Sequence, residues 1–315
     1  MTRLLVRRFI HAVPLLFFIS ALVFLLIHAA PGGPLAMYLA NPNVRPEDIE
    51  RLRRALGLDR SLWLQYWSWL AAFIRGDWGF SFSDGRPVVS RVFERLPATI
   101  ELMGVSIVCA IALTIPIGTW SAVRRGQWFD RLTSVASLVG VSLPGFWFGL
   151  VLQMVFAIGL GWLPSSGRST PGAEDLLSHL LHLVMPTTVL AFVLAAGWSR
   201  YLRGSMIETV HQPFIAAARA RGVPASRIVM VHALRNALAP LIAIVTVDAA
   251  LLVSGAVVTE SVFAWPGLGS LFTEALARRD YTVLMALLML SSVAVVVFNV
   301  AGDLLHAALD PRVAA

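Results

Sequence analysis

The chain has no lysine: all 25 basic side chains in its 315 residues are arginine. That absence excludes a P-loop, because G-x-x-x-x-G-K-[ST] sets its lysine on the β- and γ-phosphates. It also excludes Schiff-base chemistry on a side-chain amine. If ATP drives this protein, another chain must bind it. Cysteine is nearly absent too. The single Cys109 lies in an apolar run, can form no intrachain disulfide, and reads as a small core hydrophobe. Neither G-x-S-x-G nor H-E-x-x-H occurs, so there is neither a serine nucleophile elbow nor a zincin helix. Among the histidines only His179 and His182 approach a metal-ligand spacing, and no catalytic, metal or cofactor site is expected in this chain. Charge is scarce as well, at 14% of residues against about a quarter in an ordinary soluble domain.

What is abundant is apolar side chain: 57% of residues are hydrophobic and mean hydropathy is +0.76. Six runs are long enough to cross a bilayer, over approximately Phe9–Ala30, Ala98–Ala122, Leu132–Leu160, His182–Trp198, Ala237–Thr259 and Thr282–Leu305. The fourth is short and is opened by Met185-Pro186. The first follows Arg3, Arg7 and Arg8 but exceeds the roughly 7–15 apolar residues of a cleavable signal, and Pro31 stands where cleavage would occur. It reads as an uncleaved anchor. The expected fold is an all-α polytopic membrane protein of six transmembrane helices.

Orientation follows from the arginine bias of short loops. Arg124, Arg125 and Arg131 separate runs two and three, and Arg200, Arg203, Arg219, Arg221, Arg227 and Arg235 follow run four. On the opposite side Arg168 is offset by Glu174 and Asp175, and Glu260, Glu274, Arg278, Arg279 and Asp280 come later. Both termini and the connector 203–236 are therefore expected in the cytoplasm, with segment 31–97 outside. That outer segment reads as helical. Pro46, Glu47, Asp48 and Gly57 frame one helix, with Ile49, Leu52 and Leu56 on one face. A second helix starts at Ser61, stops at Gly76, and carries Trp63, Tyr66, Trp67, Leu70 and Ile74 as a stripe. The stripe suits a cap on the bundle, an interfacial helix at headgroup depth, or a ligand contact.

The connector 203–236 is the most informative stretch. Pro213 can open a helix that Gly222 closes, since a left-handed terminus suits glycine. Ala216, Ala217, Ala218 and Ala220 favour helix and let a partner approach the backbone, while Arg219 and Arg221 can meet acidic groups. Val223-Pro224 forces a turn, and Ala225 to Asn236 can lead into the fifth run. Two readings stay open: a helix on which another protein docks, or an amphipathic helix among anionic headgroups.

Polar residues within the runs are candidates for a solute pathway. Asp248 lies about half-way along the fifth run, where a charge costs roughly 2.5–3.5 kcal/mol on insertion scales. It either faces a wet cavity, where it could meet an amino group, or glues two helices through a hydrogen bond. Gln153, Asn299, Asp303 and Glu101 carry the same pair of readings. Glu260 ends the fifth run beside Trp265-Pro266-Gly267, a rigid turn that suits an outer gate or a structural support.

The connector resembles the EAA loop of permease subunits in ABC importers, patterned E-A-A-x-x-x-G. Ala217 and Ala218 take the alanines and Gly222 the glycine, while Ala216 replaces the leading glutamate. The resemblance covers almost the whole chain and narrows to the B-type permease of dipeptide, oligopeptide and nickel importers. It rests on PGGP at 31–34, ALGLD at 55–59, GDWGFS at 76–81, LPATIEL at 96–102 and LPGFWFG at 143–149. ARARG at 218–222, HALRN at 232–236, TESVFAWPGLG at 259–269, RRDY at 278–281 and LDPR at 309–312 complete it. Gly33 stands where the family usually has Asp, and Ser61 where Pro often follows.

The resemblance implies a type I importer permease of the bacterial cytoplasmic (inner) membrane, moving peptides, with nickel, glutathione or another small solute as alternatives. Partners implied are a second, C-type permease, two ATPase subunits carrying ATP and Mg, an extracytoplasmic substrate-binding protein and the lipid bilayer, with no nucleic acid. Docking on the ATPase would fall to Phe214, Ala216, Ala217, Ala218, Arg219, Arg221, Gly222 and Val223. Asp248, Gln153 and Glu260 would be pathway candidates. The chain divides into 1–30, cytoplasmic N-terminus and first helix; 31–97, a helical extracytoplasmic insertion; and 98–315, the permease core. The rival class is an ion-coupled secondary transporter, against which stand the lack of a clear internal repeat and the few charges within the spans.

Overall fold

A computed structural model of the chain describes residues 2–30, 33–35, 39, 45–55, 57–172 and 175–309. Pro31, Leu56, Glu174 and most of the LDPR motif lie outside the described residues. In chain order the helices are α1 (Thr2–Ala29), α2 (Pro46–Ala55), α3 (Leu62–Ile74), α4 (Val88–Val123), α5 (Trp128–Ser142) and α6 (Gly145–Leu152). A π-helical stretch, Gln153–Gly159, extends α6. Next come α7 (Leu176–Val210), α8 (Pro213–Ala220) and α9 (Ala225–Arg227), which runs through a π-helical turn, Ile228–Ala233, into α10 (Leu234–Gly255). The chain closes with α11 (Val257–Val262), α12 (Leu268–Ala277) and α13 (Tyr281–Leu309).

Five apolar helices are long enough to span a membrane, and the pair α5–α6 supplies a sixth that is bent by 99°. The run Leu132–Leu160, one span by composition, is this bent pair. Pro144 breaks it, because a residue before proline is driven out of helical geometry, and Leu143 is extended at ψ 126°. The fourth span is far longer than expected. Asp175 caps α7 by accepting from the Ser178 N–H (2.9 Å), and the helix runs through Pro186 for 35 residues. The fifth ends earlier: α10 stops at Gly255, so Glu260 sits on the separate helix α11 rather than at the end of a span.

The α7 helix is the central rod, with 56% of its apolar window buried against 22–33% for the other unbroken spans. Small residues let its neighbours approach, as packing in a membrane demands. A Cβ on Gly140 of α5 would lie 2.7 Å from the Ala196 methyl, and one on Gly118 of α4 would lie 2.9 Å from Leu202. The insertion packs on α1 through Tyr66, whose hydroxyl pairs with Ser20 (2.8 Å) and whose ring meets Phe24 edge-on. The expected stripe is thus split: Tyr66 and Leu70 face α1, joined there by Trp69, while Trp63, Trp67 and Ile74 stay exposed.

Glu260 anchors the loop region after α10 to α4. The Thr99 hydroxyl donates to one of its carboxylate oxygens (2.8 Å) and accepts from the Leu268 N–H (2.7 Å). The Ser270 N–H donates to the other oxygen (2.9 Å), and the Trp265 indole donates to the Ala98 carbonyl (2.8 Å). Glycine at 267 is forced by proximity, since a Cβ there would come within 2.3 Å of the Glu260 carboxylate. With 0% exposure and both oxygens engaged, Glu260 is a structural support and not a lining of a wet pathway.

Burial holds the Glu260 carboxyl above its ordinary range, although the Ser270 and Thr99 hydrogen bonds oppose the shift. A raised carboxyl lends its full stability below its unfolded-state pKa and loses it as pH rises through the folded value. Melting scans of purified wild type against Glu260→Gln, from acidic to neutral pH, should show the steeper decline in wild type. Parallel curves would refute the assignment. Gly140→Val should lower the unfolding free energy by about 1–3 kcal/mol through overpacking. Gly104→Ala, which meets open space, should melt close to wild type.

Candidate functional site

Helix α8 is short but sharply framed. Pro213 occupies its first turn, where a missing N–H does no harm. At the other end Gly222 adopts φ +76°, the Val223 N–H donates to the Ala218 carbonyl (3.2 Å), and the Gly222 N–H donates to that of Arg219 (2.9 Å). This is a Schellman closure, and Val223 completes it by packing on the same apolar cluster as Ala218. Ile215 and Ala218, three residues apart, are buried at 0% and 3% exposure. They join Trp198, Leu202 and Met206 of α7 with Ala233, Leu234 and Ala237 of the α10 arm.

The outward side carries Phe214, Ala216, Ala217, Arg219, Ala220 and Arg221. Among the described residues neither Arg219 nor Arg221 meets a carboxylate, and Arg221 only reaches back to the Ala217 carbonyl (3.3 Å). Two residues of the expected docking set therefore have a different task. Ala218 points into the bundle and Val223 is half-buried, so both hold the helix rather than display it.

The three pathway candidates do not form one site. Asp248 accepts from the Trp198 indole (2.6 Å), joining α10 to α7 behind the cluster that seats α8. The Gln153 amide donates to the carbonyls of Ser165 (2.7 Å) and Val262 (3.0 Å), tying the π-helical stretch to the end of α11. Gln153 and Glu260 thus support the same short helix, whereas the contact of Asp248 is with α7. Glu101 receives Arg168 (2.7 Å) and His179, and the Arg168 guanidinium lies 6.0 Å from the Trp265 ring centroid. Asp303 pairs with Arg8.

Two clusters escaped sequence reasoning. Asp130, nearly buried on α5, takes a two-pronged bond from Arg203 of α7 (2.5 and 2.9 Å) and accepts the Gly126 N–H (2.8 Å). At the insertion, buried Asp280 accepts from the Ser81 hydroxyl (2.5 Å) and the Ser83 N–H (3.3 Å), while Arg91 donates to Ser81 (3.0 Å). Arg91 also lies within salt-bridge reach of Asp84 (3.5 Å) and Glu274 (3.6 Å). Burial would raise the Asp84 carboxyl, but bonds from Arg86 and Ser81 and the Arg91 charge outweigh it and hold it below its usual range. The signal was present in the GDWGFS and RRDY motifs, which this cluster joins. Among the described residues no three His, Cys, Asp or Glu side chains form a metal-ligand group.

Comparison with known proteins places this architecture. Residues 114–315 match the family described as binding-protein-dependent transport system inner membrane component, and residues 1–103 match its N-terminal membrane component. The chain is 38% identical over 315 residues to the oligopeptide transport system permease protein AppB of Bacillus subtilis (strain 168), covering 99% of each. It is 35% identical over 313 residues to the glutathione transport system permease protein GsiC of Escherichia coli (strain K12), again covering 99% of each. In fold it resembles the MetNI methionine ABC transporter in an inward-facing conformation, with a TM-score of 0.58 and 22% identity over 70% of this chain and 96% of that one. The chain belongs to the binding-protein-dependent transport system inner membrane components, and is a membrane-spanning permease subunit of an ABC importer rather than an enzyme.

Proposed function

We propose that this permease conducts peptides, and that α8 is the coupling helix on which an ATPase subunit pulls. The observation that carries the second part is the two-sided build of α8. Ile215 and Ala218 lock it to α7 and α10, while Phe214, Ala216, Ala217, Arg219 and Arg221 face away from the chain. Small side chains and unpaired guanidinium groups suit a groove with acidic walls. The relatives' names favour peptides: one is an oligopeptide permease and the other a permease for glutathione, itself a short peptide.

In this reading the chain pairs with a second, C-type permease around a central route. Two ATPase subunits bind beneath, holding the ATP and Mg. A substrate-binding protein delivers peptide to the side carrying α2 and α3, segment 31–97 forming the outer cap on the 98–315 core. The arginine bias puts both termini and α8 in the cytoplasm of a bacterium, with the spans in its inner membrane. Nucleotide-driven closure of the ATPases then moves α8, and the spans rock between two states.

Two substitutions test the coupling role. Gly222→Pro removes the closing N–H and forbids the left-handed φ, and Ala217→Trp places bulk on the docking side. Both should insert and assemble, yet lose about 5–150-fold of ATP-driven uptake while basal hydrolysis persists. Full transport by both variants, or cross-links from 213–222 to lipid alone, would refute the role.

A further inference from the structure

A groove of about 650 Å³ runs along the seam of α5 and α7, toward the end that carries α8. Its α5 wall is Ser134, Leu138 and Val141, and its α7 wall is Gly197, Arg200 and Tyr201. Both sets fall at helical spacing, so each is one continuous face. The seam behind it is closed by the Ser137 and Ser199 hydroxyls (3.1 Å) and by Gly140 against Ala196. Gly197 leaves the floor open, with no heavy atom within 4 Å of a Cβ placed there.

The electrostatics of this groove are unbalanced. Arg203, at its rim, is neutralised by Asp130. Arg200, one turn earlier on α7, has no carboxylate or hydrogen-bond partner among the described residues, and it is exposed. One cation in three charges is thus left free, beside two hydroxyls and an apolar wall. A planar guanidinium at the edge of an apolar cleft is built to take a carboxylate in a two-pronged bond. The volume lies in the range of small-molecule sites, roughly 300–1,000 Å³.

We propose that this groove binds the terminal carboxylate of the transported peptide on its way to the cytoplasm, with Arg200 as the recognising cation. Tyr201 supplies a further hydrogen bond, and Leu138 and Val141 receive an apolar side chain. The assignment rests on the peptide reading above. It is distinct from Asp248, Gln153 and Glu260, which bond to Trp198, to backbone carbonyls and to Thr99.

The test uses the complete transporter in vesicles, with Cys109→Ala and Ser134→Cys and a thiol-reactive maleimide as reporter. Alanyl-alanine should slow labelling at position 134, and its C-terminal amide should not. Arg200→Gln should raise the half-protecting dipeptide concentration about tenfold or more, as loss of a charge-assisted hydrogen bond would. Arg200→Lys should fall between. Equal protection by acid and amide, or none by either, would overturn the assignment. So would labelling that depends on anionic phosphatidylglycerol in the vesicle rather than on peptide, which would mark a headgroup site. A thiol reactive in the isolated chain but silent in the complete transporter would mark a subunit contact and would overturn it too. ATP-driven uptake of alanyl-alanine by wild type, measured in parallel, separates the two claims. Its absence would sink the peptide reading, whereas uptake without protection would sink only the groove.

Discussion

An eight-residue helix cannot hold itself in water, because the cost of its first turn is never recovered over so short a length. All the order of α8 is therefore borrowed. The loan comes from Ile215 and Ala218, seated among residues of α7 and of the α9–α10 arm, and from a left-handed glycine that returns the chain toward the bundle. This dependence has a mechanical corollary. What stabilises α8 also binds its position to the two spans that flank it, so it cannot shift without disturbing their packing. Asp248 adds a polar strut between those spans deeper in the bundle, through the Trp198 indole. Where the two helices meet, the Trp198 indole N–H and the Asp248 carboxylate satisfy each other.

The opposite end of the molecule obeys a related constraint. Where backbone leaves helix at membrane depth or just outside it, its freed polar groups must find partners within the protein. Glu260 and Thr99 serve the turn into α12, taking up the N–H groups of Leu268 and Ser270. Asp280 serves the Ser81–Ser83 turn in the same way, with Arg91 balancing its charge. These residues are fixed by the backbone they satisfy, which is why Glu260 is unavailable to a solute despite its place beside a plausible gate. Arg168, shared between Glu101 and the Trp265 ring, links this layer to α4 and to the loop before α7.

Much of this fold was legible from hydropathy, since length and apolarity alone decide whether a helix can span. The frame of α8 was legible too, because Pro213 and Gly222 act locally on φ and on a single N–H. Errors arose where the deciding contact was distant in sequence or where one residue reversed the trend. Pro144 cut a run that composition read as continuous. Asp175 and buried packing extended α7 well beyond its apolar core. Nothing local marks Ala218 as inward and Ala217 as outward. That choice is made by Trp198, Leu202 and Met206, which lie before it in the chain. Glu260 and Thr99 stand 161 residues apart, and no periodicity connects them. Their motifs were recognisable as resemblances, while the reason for them was not.

The length of α7 then decides how far a displacement of α8 can travel. At about 1.5 Å per residue its 35 residues reach roughly 50 Å, from His179 beside Glu101 to the turn before α8. A push applied at α8 enters this rod through close-packed contacts that do not yield gradually. It must move the whole rod or bend it. The weakest point is Pro186, where a backbone hydrogen bond is missing and kinks concentrate. Between Pro186 and α8 the rod is braced to α5 by Ser199 to Ser137, Ala196 to Gly140 and Arg203 to Asp130, and to α4 by Leu202 against Gly118. Before Pro186, His179 bonds to Glu101 of the same α4 and to the Arg168 carbonyl. The α5–α7 groove lies wholly on the α8 side of Pro186, while α4 touches the rod on both sides and ties its two halves together.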